Sequence, residues 1–164
     1  MGCVGKRNLI SLETSRKQYD EGYYAERLEI GLQFQDIVTN ALYHRGIVVV
    51  GYSSRKFQIK CGENLLGAEI KRDGNFRETG NLYIETAEKA HPDNERYIPS
   101  GIIREDNSWL FVIGDEKTIW IFSTVWLRKL LKRYKEVTTP TSIGRLMPIP
   151  EANKYAIRKI QNLT

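Results

Sequence analysis

Cysteine and histidine are scarce in this 164-residue chain, which has two of each. Cys3 and Cys61 cannot build a disulfide framework or a cysteine-rich zinc site, so a reducing, cytoplasmic setting is expected. His44 falls at a predicted helix end and His91 in a predicted loop before Pro92, which argues against a histidine-based metal centre. No apolar run is long enough to span a bilayer, and no basic-then-apolar leader opens the sequence, so no membrane partner is expected. Lys6 stands where a myristoylation signal wants Ser or Thr. There is no glycine-rich phosphate loop ending in Lys and Ser or Thr, and no serine in a nucleophile-elbow context.

What remains is ordinary for a globular protein: 41% hydrophobic and 27% charged residues. Lys and Arg outnumber Asp and Glu by 25 to 20, a net charge of +5 compatible with nucleic acid or another anionic partner. Residues 1–20 have no period and read as an N-terminal arm; 21–164 read as one α/β domain. Residues 21–45 predict a helix, with Leu28, Leu32, Ile37, Val38, Ala41 and Leu42 near helical spacing and Gly31 as a weak point. Residues 47–52 predict a strand buried on both faces, and 57–61 a half-exposed strand. Residues 109–113 and 118–122 predict a hairpin, 125–134 a second helix, 144–149 a short edge strand and 151–160 a closing helix. Trp109, Phe111, Trp120 and Phe122 read as core, and the basic side of the second helix as a solvated face.

The chemistry centres on residues 67–73 and 79–85. Glu69 and Lys71 lie two apart, so on a strand they share a face, while Ala68 and Ile70 share the other. If 67–73 and 82–89 pair as an antiparallel hairpin, Glu69 faces Glu85 and Lys71 faces Tyr83. Facing Cβ atoms then stand about 5 Å apart. Two carboxylates so close repel, and a divalent cation between them relieves the repulsion. Magnesium, hard and oxygen-seeking, suits two carboxylates and a phosphate oxygen, with manganese as its substitute. Lys71 would orient or activate the attacking water and steady charge on the phosphate. Arg72, Arg77 and Arg104 flank this place in the sequence and are candidates to meet DNA phosphates.

Glu69-Ile70-Lys71, preceded by the 47–52 strand and the 21–45 helix, resembles the PD-(D/E)XK nuclease superfamily over residues 21–90. The resemblance implies a restriction-endonuclease-like fold: a mixed β-sheet flanked by α-helices. It also implies magnesium-dependent hydrolysis of DNA by metal-activated water. Glu69 and Lys71 match the last two positions of the family motif. The preceding acidic position falls to Glu63 or is completed by Glu85, and the helix contributes Glu29, Gln33, Gln35 or Asp36. The small size suits a dimeric restriction-type enzyme or a structure-selective one. Another reading is a non-catalytic DNA-binding or protein-interaction module that keeps the fold.

Overall fold

The computed structural model describes residues 21–163. The expected N-terminal arm, residues 1–20, lies outside them. Five α-helices and eight strands make up the described residues, with the strands divided between two four-stranded sheets. The first sheet is mixed, in the order β1 (Ala68–Arg72), β4 (Leu110–Gly114), β5 (Thr118–Ser123) and β8 (Arg158–Gln161). Only β1 and β4 run parallel; the other neighbours are antiparallel. The second sheet is antiparallel, in the order β3 (Ile98–Pro99), β2 (Asn81–Glu88), β7 (Ser142–Pro148) and β6 (Lys135–Thr138).

Period-two alternation gives the first sheet two apolar faces, and each has its own core. Phe111, Ile113, Trp120 and Phe122 pack with Leu82, Ile84 and Met147 of the second sheet. Leu127, Leu130 and Leu131 of α4 (Thr124–Leu131) and Ala152 of α5 (Ile149–Tyr155) join them. On the opposite face Ile70, Val112, Ile119, Ile121 and Ile160 meet Phe34, Val38, Ala41 and Leu42 of α1 (Glu21–Tyr43). The protein is therefore layered as helix, mixed sheet, then antiparallel sheet with helices.

Several sequence expectations are met locally. The hairpin over 109–122 forms as β4 and β5, with Val112 opposite Ile121. Its turn is stapled by Asp115, whose Oδ1 accepts from the Lys117 and Thr118 amides at 3.0 and 2.8 Å. The second helix starts at Thr124, where the Ser123 hydroxyl accepts from the Trp126 amide. The first helix runs unbroken through Gly31; Phe34, Val38, Ala41 and Leu42 in its second half are buried, whereas Leu28 and Leu32 are exposed.

Other expectations fail. Residues 57–61 belong to α2 (Arg55–Cys61), because the Ser54 hydroxyl caps it and five alternating residues are too short a pattern to impose a strand. Residues 47–52 join neither sheet: Gly51 bridges Asn64, and Val48 and Val50 are exposed. Residues 67–73 and 82–89 do not form a hairpin. The short helix α3 (Phe76–Thr79) intervenes, and β1 and β2 enter different sheets. Residues 144–149 fall largely within β7, an interior strand between β2 and β6 rather than an edge. The closing helix ends at Tyr155, and the chain returns as β8. Trp109 is exposed, its indole donating to the Leu66 carbonyl at 2.5 Å.

Candidate active site

Strand β1 lies at the edge of the first sheet, and residues 27–32 of α1 stand across from it. Between them is a cleft of about 760 Å³, lined among others by Leu32, Gln35, Glu63, Lys71, Arg72 and Arg104. Because Ala68 and Ile70 are used against α1, alternation turns Glu69 and Lys71 to the other side of the strand, beside the second sheet. Glu69 is 2% exposed, whereas the Lys71 side chain keeps 36% of its surface open.

The two side chains touch: Lys71 Nζ is 2.8 Å from Glu69 Oε1 and 3.7 Å from Glu63 Oε1. The buried Glu69 Oε1 is thus held by the Lys71 ammonium. Glu69 Oε2 accepts from Arg104 Nη2 at 3.1 Å, and Arg104 Nε is 2.7 Å from Asp106 Oδ2.

Glu63 arrives by a local device. Extended residues pair at 50–52 and 63–65, through the Tyr52 amide to the Glu63 carbonyl and the Leu65 amide to the Val50 carbonyl. The Asn64 carboxamide then clasps Ala68, donating to its carbonyl at 2.7 Å and accepting from its amide at 3.0 Å. That clasp folds 63–68 back, so Glu63 Oε2 lies 3.4 Å from the Ile70 amide and from Gln35 Nε2. Glu63 is thus on an extended segment beside the site, and Gln35 is the helix residue that reaches it. Gln33 bonds Glu29 on the exposed surface, and Asp36 lines the cleft without a hydrogen bond to Glu63 or Glu69 among those described.

Glu85 does not face Glu69. It is opposite Gly144 in the second sheet, just before a bulge, and the Ser100 hydroxyl donates to its carboxylate at 2.7 Å. It feels the charges of Lys71 and Glu69 and, like Glu69, is not among the residues lining the cleft. The Glu69–Glu85 facing expected from a hairpin does not occur, and Glu63 is the acid that shares Lys71 with Glu69. Backbone pairing, not sequence proximity, decides the partner. Gly101 keeps the Ser100 segment close: its φ is +52°, and a Cβ there would come within 2.6 Å of the Glu85 carbonyl oxygen.

The three arginines separate. Arg72 lines the cleft and pairs with Glu116 at 2.6 Å; Arg104 lines it and pairs with Glu69. Arg77 is turned to the β4–β5 turn, where it pairs with Asp115 at 2.5 Å, and is not among the lining residues. Arg128, expected on a solvated face, instead donates to the Ile102 and Arg104 carbonyls at 2.6 and 2.8 Å and steadies the segment that carries Arg104. Asp106, Asn64 and Ser100 had no role in the sequence reading, and Arg104 was expected only as a phosphate contact. Only the Asp106-x-Ser108 and Asn64-x₃-Ala68 turn chemistry hinted at ordered loops there.

Burial pushes the Glu63 carboxyl up, and the neighbouring Glu69 charge adds to it, against the opposing pull of Lys71. Burial also raises Glu85. For Lys71 burial acts downward, but Glu69 and then Glu63 outweigh it, so its ammonium is held more firmly than usual. A lysine in that state donates and supplies charge; it does not take a proton from water.

The sign of the Glu63 shift has a consequence for stability. Its carboxyl titrates higher in the folded chain than its ordinary 4.5, so the stabilisation of the protonated form is fully present below 4.5 and is lost as pH rises through the raised value. Glu63→Gln is expected to melt about 2 °C above the wild type at pH 7 in EDTA. The difference should vanish near pH 4. A thermal melt series across that range checks it, and a gain that grows on acidification would contradict the burial argument.

Among the described residues, no cluster of three or more His, Cys, Asp and Glu side chains is arranged to hold a metal ion. No helix among them is long and apolar enough to cross a membrane. In comparison with known proteins, no family model, no curated protein and no solved structure matches the chain.

Proposed function

We propose that this protein is a magnesium-dependent DNA endonuclease of the PD-(D/E)XK type, with a restriction-endonuclease-like site on Glu63, Glu69 and Lys71. The observation that carries this reading is that Glu63 and Lys71 line the cleft together, with the buried Glu69 2.8 Å from the Lys71 ammonium.

Two carboxylates are an all-oxygen donor set of the kind magnesium takes, the other positions being left to water and a substrate phosphate. Glu63 and Glu69 would hold the ion. Magnesium, when bound, supplies Lewis-acid charge and lowers the pKa of a coordinated water. The chain's own groups do the rest. Gln35 donates to Glu63 and fixes its carboxylate, and the Ile70 amide does the same from the backbone. Lys71, held as an ammonium, opposes the negative charge that grows on the phosphate. Arg72, on the wall of the cleft, would meet a flanking phosphate by leaving its pair with Glu116. In the hydrolysis a water releases a proton to solvent as its oxygen bonds to phosphorus, one phosphorus–oxygen ester bond breaks, and the departing oxygen is protonated from solvent.

Incubation of purified protein with duplex, single-stranded and branched DNA in magnesium or manganese tests the reading. Cleavage that stops with EDTA is expected; intact DNA in every case would overturn it. The second reading, a DNA-binding or interaction module without catalysis, is favoured by the two cations that already neutralise Glu69. Salt-sensitive DNA binding that is indifferent to metal, with no cleavage, would decide for it.

A further inference from the structure

Glu69 is buried, and both of its oxygens are already taken. Arg104 Nη2 holds Oε2 at 3.1 Å while Lys71 sits on Oε1 at 2.8 Å. Arg104 is not part of the sheet. It follows the 3₁₀ turn Gly101–Ile103, lines the cleft, and leaves 30% of its side chain exposed. Its Nε is tied to Asp106, so the guanidinium has a second carboxylate to rest on if it leaves the first. A divalent cation approaching Glu69 Oε2 meets this positive charge at contact distance, and the two cannot share the oxygen without strong repulsion.

We propose that Arg104 is a latch on the metal site: it occupies Glu69 until a DNA phosphate draws the guanidinium away, so that divalent cation and DNA bind with positive coupling. This inference rests on the nuclease reading. A guanidinium fork matches two phosphate oxygens as well as it matches a carboxylate, so the exchange replaces one charge-assisted pair by another. By linkage, whatever DNA does for metal affinity, metal does for DNA affinity.

Calorimetric titration of the full chain with MnCl₂, without DNA, separates the possibilities. Arg104→Gln retains a hydrogen-bond donor but removes the charge, and is expected to bind manganese at least tenfold more tightly than the wild type. Arg104→Ala, checked by circular dichroism, should do the same. Anisotropy of a short fluorescein-labelled duplex in EDTA should show Arg104→Gln binding DNA several-fold more weakly. Weaker DNA binding with unchanged manganese affinity would make Arg104 a plain phosphate contact and overturn the latch. Tighter manganese with unchanged DNA affinity would overturn the handover to phosphate. If neither protein binds manganese, the metal site and the latch fall together, whereas equal binding by both removes only the latch.

Discussion

Glu69→Gln is expected to lower metal-dependent DNA cleavage by about 10³-fold, the scale of losing a major electrostatic contact to the reacting group. The substitution keeps the shape of the side chain and takes away the charge that would hold a cation. Folding should survive it, because each neighbouring cation retains a second acid: Lys71 is 3.7 Å from Glu63, and Arg104 is 2.7 Å from Asp106. Lys71→Met keeps the apolar stem and removes the ammonium, and a loss of about 10²- to 10³-fold is expected. Its rate should respond to pH in the same way as the wild type through the neutral range, since the raised pKa of Lys71 keeps it charged throughout. Single-turnover cleavage with magnesium, alongside circular dichroism, measures both variants. Wild-type rates in either one would remove that side chain from the reaction.

The second large effect is on stability. Trp120 is 1% exposed and sits between the sheets, its ring edge-on to Phe76 at 5.0 Å. Its indole donates to Asn153 Oδ1 at 2.9 Å, tying β5 to α5. Trp120→Ala removes the largest fully buried side chain and leaves Asn153 without that donor. A loss of about 4 kcal/mol is expected from the cavity and the lost contacts. That is a large share of the roughly 5–15 kcal/mol that holds a domain folded. Urea unfolding followed by fluorescence of the remaining tryptophans gives the value; a loss under about 1 kcal/mol would mean the core relaxes around the gap. Trp120→Phe should recover most of the packing but not the bond to Asn153.

The site was partly legible because some of its chemistry is local. Glu69 and Lys71 share a face whatever strand they pair with, since alternation is a property of one extended chain. The β4–β5 hairpin was readable for the same reason: strand, turn and strand are contiguous, and Asp115 closes the turn. Residues 57–61 misled because a short alternating run is outweighed by a serine cap. Residues 82–89 misled because a polar turn after β1 looks like a hairpin whether or not the strands separate into two sheets. Leu28 and Leu32 fit the helical stripe, yet their turns of α1 reach beyond the sheet and border the cleft.

From its letters alone, this chain determined the periods of its first two long helices, the β4–β5 hairpin and which pair of charges sits on one strand face. Tertiary structure alone decided which acid joins that pair. Strand β1 took β4 as its parallel neighbour and left its other edge open, while β2 was claimed by β7. Backbone hydrogen bonds are alike at every residue, so the choice of partner is made by which apolar faces bury one another. Here that choice set Glu85 apart with Ser100, and the Asn64 clasp carried Glu63 to Lys71 instead.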